Sequence, residues 1–295
     1  MNSKILASLL ALGSLAATPA LAEDVNKTVD ASADGHVDIS NIAGMVAVEG
    51  WSRTAVEVTG ELGSRVEELI VERDGDRVTI KVKVPRNGSR GIASDLYVKV
   101  PEKSSLDVGT VSADISVEGV LGELDLGTVS GDVEVEDASD DVSAESVSGD
   151  VEIEGNGKAF ETSAASVSGD VTVLRRSGEV DIETVSGDLV VEEGAFERVS
   201  LESVNGEIVF NGSLNKGGRM QAEAVNGDMD LDFVGDLSAT IDIETFNGSI
   251  DNCFGPEPKR TSKYTPGLEL SFTEGTGSGR ISVATMNGDI RICNE

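Results

Sequence analysis

One eight-residue pattern recurs through most of this 295-residue chain, and it leaves few folds open. The pattern is T/S/A-V-S/N-G-D-h-x-h, with h apolar. It appears as TVSADISV (110–117), TVSGDVEV (128–135), SVSGDVEI (146–153), SVSGDVTV (166–173) and TVSGDLVV (184–191). It continues as SVNGEIVF (203–210), AVNGDMDL (224–231), TFNGSIDN (245–252) and TMNGDIRI (285–292). The glycine position is held by Ala113, Gly131, Gly149, Gly169, Gly187, Gly206, Gly227, Gly248 and Gly288, at steps of 18, 18, 20, 18, 19, 21, 21 and 40 residues. An earlier, degenerate copy keeps the phase: Ile39, Ile42, Gly44, Val46 and Val48 match Ile182, Val185, Gly187, Leu189 and Val191.

Each copy alternates apolar and polar residues with period two, as strands do. In residues 131–148 the apolar positions are Val133, Val135, Val142, Ala144 and Val147, and the residues between are mostly acids and serines. An 18-residue unit thus holds two short strands and two turns, its core fed by those five residues. Two folds accommodate such a unit. In a β-solenoid each unit is one coil and like strands stack in parallel; in an up-and-down meander the Ser-Gly or Asn-Gly pair is a two-residue hairpin turn. The solenoid accounts better for the corner residues. Ser130, Ser148, Ser168 and Ser186 give way to Asn205, Asn226, Asn247 and Asn287, which parallel stacking turns into a side-chain ladder. The glycine then serves a positive φ or a close approach between coils.

Five small side chains do not offset the ordering of 18 residues, so one coil cannot stand alone and stability belongs to the stack. Its end edges need covers, and residues 51–103 and 255–280 are the candidates. Within the first, 66–84 reads as a hairpin across Asp74-Gly75; within the second, the Pro-, Lys- and Gly-rich stretch 255–267 reads as an inserted loop. The organisation expected is a leader at 1–22, an N-terminal β cap with the first coils at 23–105, and solenoid repeats at 106–295 with an insertion at 255–280.

The leader carries Lys4, a short apolar run from Ile5 to Ala17, and Ala20-Leu21-Ala22 ahead of Glu23. This is the layout of a secretory signal peptide cleaved near Ala22-Glu23, too short in its apolar run to stay in a bilayer. No later stretch approaches 18 apolar residues, so no transmembrane segment is expected and the mature chain belongs to the periplasm or the exterior. The whole chain carries a net charge of −31. Residues 104–254 concentrate it, with 34 acidic against 6 basic residues (−28), which excludes nucleic acid as a partner and repels anionic lipid.

Few residues are candidates for chemistry. Cys253 and Cys293, the chain's two cysteines, each stand five residues after a repeat glycine. If their coils are neighbours with 255–280 looped out, the thiols lie within disulfide reach and the bond staples the C-terminal coil. Two free thiols or a metal pair are the alternatives, and no histidine stands near to support the metal. Asp114, Asp132, Asp150, Asp170, Asp188, Glu207, Asp228 and Asp289 follow the corner and point to solvent. At about 4.8 Å spacing such carboxylates repel, and Ca²⁺ at Asp132, Asp150, Asp170 and Asp188 would relieve this; a solvated face that resists aggregation is the competing reading. No catalytic residue, no resident metal and no other cofactor is predicted. A carbohydrate-active lyase or hydrolase is the alternative function, since two carboxylates suffice for such chemistry. Against it, every acid here has equivalents in neighbouring coils, and the repeats have almost no aromatics to stack on sugars. His36 reads as a surface or edge residue, Trp51 as packing at the N-terminal cap, and Arg175-Arg176 as the basic interruption most worth inspecting.

The N-terminal pattern ISNIAGMVAVEGW (39–51), SDLYVKVP (94–101) and the serial VSGDV copies resemble the bacterial putative-adhesin β-strand-repeat family, a domain family of unknown function. NCFGPEPKRTSKYTPG (252–267) and MNGDIRIC (286–293) resemble its proteobacterial branch. The resemblance covers essentially the whole mature chain. It implies a right-handed parallel β-helix of about 18–21 residues per coil, acting without catalysis on an unknown envelope or surface partner, and supplies no catalytic residues to carry over.

Overall fold

The computed structural model describes residues 23–87 and 90–294; the predicted leader at 1–22 and the Ala22 side of its cleavage point lie outside them. The described chain is all-β and solenoid-like, with 23 strands joined in one mixed sheet. Through the middle the ladders are parallel. Strands before the corner stack in register as Ala144, Ala164, Ile182, Leu201, Ala222, Val283 and Ile243. Strands after it stack as Val133, Val151, Val171, Leu189, Ile208, Met229, Ile290 and Ile250. All of these are buried and form one continuous core. The longer coils hold larger residues: Phe196, Phe210 and Phe233 stack with ring centroids 5.6 and 5.3 Å apart.

The corner glycines from Gly131 onward share a close approach between coils, and only Gly187 and Gly206 among them also have a positive φ, at 159° and 157°. A Cβ at Gly149, Gly169 or Gly227 would run into the carbonyl oxygen of the corner residue in the coil beneath, Gly131, Gly149 and Gly206 respectively. Ala113 opens the row. It pairs with Gly44, whose φ of 108° marks a different backbone path at that corner.

The coils do not stack wholly in chain order. The strand Gly279–Asn287 pairs with Ile208–Asn226 on one side and Ala239–Asn247 on the other, all parallel. The last coil of the sequence is therefore inserted between the Gly227 and Gly248 coils, and the Gly248 coil stands at the end. The segment 255–280 is more than a loop: Leu268–Thr273 pairs antiparallel with Ala239–Asn247 and covers that end, and Lys259–Arg260 pairs with it in turn. The other end repeats the device. His36–Trp51 lies between Ser105–Glu118 and the later strands Arg77–Lys83 and Ser94–Pro101. Antiparallel strands Glu23–Asp30, Ala55–Leu62 and Glu68–Asp74 complete the cover, the last in the expected hairpin through Gly75 at φ 63°. In both places a terminal coil is closed in by chain that a simple winding would not put there; at the C-terminal end the cover lies on Ala239–Asn247, while Ile250–Asn252 pairs on one side only.

Candidate functional site

The positions of the repeat differ in what their side chains bond and bury. The first residue turns inward: the hydroxyls of Ser146, Ser166, Thr184, Thr285 and Thr245 donate to the carbonyls of Gly131, Gly149, Gly169, Gly227 and Gly288 at 2.9–3.2 Å. They satisfy corner carbonyls that the sheet ladder does not reach; Ser203 alone in this row is buried with no partner for its hydroxyl. The Ser/Asn position makes the expected ladder only where it is Asn. Asn226 donates to Asn205, Asn287 to Asn226 and Asn247 to Asn287 at 2.8–3.0 Å. At the serine copies the coil-to-coil bond is instead the backbone N–H, as from Ser148 to the Val129 carbonyl at 3.0 Å.

The aspartates are exposed, as expected, and they also bond between coils. Oδ1 of Asp114, Asp132, Asp150 and Asp170 accepts the backbone N–H of Asp132, Asp150, Asp170 and Asp188 at 2.8–3.1 Å. Asp188 accepts from Glu207, Asp228 from Asp289, and Asp289 from Ser249, at 2.7–2.8 Å. One oxygen of each carboxylate thus caps an N–H at the corner, which offsets the like-charge repulsion along the row. Asp150→Ala should lower stability by about 1–2 kcal/mol, whereas Asp150→Asn, which keeps an acceptor and removes a charge, should hold or raise the midpoint. Melting both in EDTA and in millimolar Ca²⁺ checks it. Coincident midpoints for the parent chain fit backbone capping, and a Ca²⁺ shift abolished by both variants fits a cation at Asp132, Asp150, Asp170 and Asp188.

The valine that follows the hydroxyl is the exception to this economy. It was expected to feed the core with Val133, Val135, Val142 and Ala144, and it does not. The inward place belongs to Ser146, so Val147 faces out, 45% exposed. The same holds along the stack: Val111, Val129, Val167, Val185, Val204 and Val225 are 39–47% exposed, and Met286 and Phe246 are 56% and 51% exposed. In stacking order they make one apolar row of nine residues, about 38 Å long at about 4.8 Å per step. Beside it, across the hydroxyl row, stand Gly127, Glu145, Ala165, Glu183, Glu202 and Glu223. These residues and the six valines from Val129 to Val225 line an open groove of about 670 Å³, and no Lys or Arg lines it. Burial, and then the neighbouring Glu183, Glu223 and Asp181, push the Glu202 carboxyl above its ordinary range.

The remaining candidates resolve into structure. Cys253 and Cys293 form a disulfide, with Cα atoms 4.9 Å apart. It ties the outer Gly248 coil to the inserted last coil rather than stapling a free C-terminal end. Arg175 pairs with Glu154 at the surface, while Arg176 is 1% exposed and bonded inside. His36 sits at the stack's N-terminal end near Asp38 and Asp107, and Arg77 takes both carboxylate oxygens of Asp38. Trp51 is half-buried in the N-terminal cover, its indole N–H donating to the Ala55 carbonyl at 2.8 Å.

Several solved bacterial proteins align with most of this chain at low identity. One described as a putative adhesin from Bacteroides fragilis is 10% identical, with 92% of this chain and 97% of that chain covered and a TM-score of 0.42. One described as a putative lipid binding protein from Parabacteroides distasonis is 14% identical, with 91% and 96% covered and a TM-score of 0.44. One described as a putative cell adhesion protein from Clostridium sporogenes is 12% identical, with 92% and 100% covered and a TM-score of 0.33. Among curated proteins nothing matches. Over residues 36–293 the sequence matches the Toastrack family, DUF4097, and with that span covered the chain belongs to this family of β-repeat proteins whose function is unknown.

Proposed function

We propose that this chain is an exported, non-enzymatic β-solenoid, with right-handed winding and parallel coils, that works in the cell envelope or at the cell surface as an adhesin-type interaction module. The observation that carries the reading is the exposed apolar row. Apart from the outward position between the two core residues, which is mostly polar, the other positions of the repeat have work inside the fold, as hydrophobic core, hydroxyl cap, corner or carboxylate cap. Threonine would give the outward position the same β-branched shape without exposing hydrocarbon, yet valine fills it seven times. The acids favour a non-catalytic role, because each belongs to a row and none stands out as an acid–base pair, while Arg175 and Arg176 are taken up by Glu154 and by the interior. The leader at 1–22 supports export. Among the described residues no helix is long and apolar enough to cross a membrane.

Fractionation with cross-linking tests this. The full-length chain expressed with its leader should be recovered shortened, outside the cytosol, and cross-linked to an envelope or surface component. Recovery only in the cytosol with the leader intact would contradict the reading.

A further inference from the structure

Resting on that reading, we propose that the groove along the valine row is the docking site for a basic amphipathic helix of a partner protein, its apolar face on the valines and its lysines or arginines against the flanking carboxylates. Charge selects the occupant. On one side of the valines, across the hydroxyl row, stand Glu145, Glu183, Glu202 and Glu223, while the Ser/Asn and glycine positions of the repeat separate the valines from the aspartates that cap the corner. The glutamates of the central coils stand in adjacent register, Glu183 beside Glu202 and Glu202 beside Glu223. Their mutual repulsion is the cause, after burial, of the raised Glu202 carboxyl, and a cation laid along the row relieves it. A second copy of this chain would set acid against acid, and an anionic lipid surface or nucleic acid meets the same field. A glycan would find no aromatic among the groove's lining residues.

Backbone accounting selects the helix. The groove's own N–H and C=O groups are already committed from coil to coil, as in the bonds from Ser130, Ser148 and Ser168 to the carbonyls of Val111, Val129 and Val147. There is no free edge for an added strand, so an extended segment would bury its backbone polar groups unpaired. A helix brings its backbone bonds with it. Its pitch of about 5.4 Å also runs close to the coil spacing of about 4.8 Å, so over four turns the two differ by only about 2.4 Å.

The probe is an 18-residue leucine–lysine peptide with leucines at i, i+3, i+4 and i+7, compared with a leucine–glutamate peptide of the same spacing and a leucine–lysine peptide with the spacing scrambled. Binding to the mature chain is read by fluorescence anisotropy. We expect the first peptide to bind, and both controls to bind at least tenfold more weakly. The Val167→Thr/Val185→Thr/Val204→Thr variant, whose changes are exposed and keep the β-branch, should fold with an unchanged circular dichroism spectrum and bind at least tenfold more weakly. Glu183→Gln/Glu202→Gln should weaken binding and flatten its salt dependence. Equal binding of the scrambled peptide, equal binding by the threonine variant, or no binding of the leucine–lysine peptide overturns the proposal. These outcomes differ from failure of the envelope reading: a chain that still cross-links to its partner as the threonine variant retains that role but does not use this groove.

Discussion

Replacing Arg176 with alanine should lower the unfolding free energy by about 3–5 kcal/mol, more than removal of any surface charge on this acidic chain. The side chain is 1% exposed and joins three coils. Its Nε donates to Thr162 Oγ1 at 2.8 Å, one terminal nitrogen to the Ala138 carbonyl at 3.1 Å, and the other to the carbonyls of Asp140 and Glu161 at 2.9 and 3.3 Å. Burial lowers its pKa, opposed by the nearby Asp141 and Asp140. Alanine would leave the buried Ala138 carbonyl and the part-buried carbonyls of Asp140 and Glu161 without these donors and a void where the stem packed, each a separate cost. Lysine carries the charge but not the planar fork, so Arg176→Lys should recover less than half of the loss. Urea midpoints of the two variants check this. Equal midpoints for alanine and the parent chain would mean that Arg176 holds nothing together.

Ending the chain at Ser278 should unfold far more than the 17 residues it removes. The Gly288 coil lies between its neighbours, so without it Ala239–Asn247 loses its whole parallel partner strand and Ile250–Asn252 loses its own. The Gly248 coil and its antiparallel cover would be left attached only through the chain. Hydrogen exchange should find residues 239–278 unprotected, and limited proteolysis should trim the truncated protein back towards residue 234. Had the coils stacked in chain order, the same deletion would have removed one end coil and left 239–252 intact. Reducing the Cys253–Cys293 bond is the milder form of the same experiment. For a closed segment of 40 residues, loop entropy gives a loss of about 4 kcal/mol, with the Gly248 coil the first to open.

What the sequence made legible was the local rule; what it hid was set by contacts between distant parts of the chain. The corner glycines, the asparagine ladder and the phase match of Cys253 with Cys293 all follow from laying like positions over one another. The outward turn of Val147 was hidden because hydropathy puts valine inside and serine outside. The reverse holds because the Ser146 hydroxyl satisfies the Gly131 carbonyl, and period two then sends Val147 to the surface. The aspartate caps were hidden for a similar reason: an acid beside a glycine reads as solvated, and only the stacked backbone brings the N–H of Asp170 to Asp150. The insertion of the last coil was also out of reach. The step of 40 residues between Gly248 and Gly288 reveals an excursion, but every repeat offers the same edge, and nothing in the motif says on which side the returning chain pairs.

The account depends on coils lying in parallel register in the order Gly227, Gly288, Gly248, and cysteine trapping on the asparagine ladder tests that order directly. Adjacent coils place like Cα atoms about 4.8 Å apart and alternate coils about 9.6 Å apart, on either side of the roughly 7 Å limit for a disulfide. Oxidised Asn226→Cys/Asn287→Cys protein should show an intramolecular 226–287 link in its peptide map, and Asn226→Cys/Asn247→Cys protein should show no 226–247 link. A 226–247 link, with none between 226 and 287, would contradict the stacking on which the groove, the caps and the covered ends all rest.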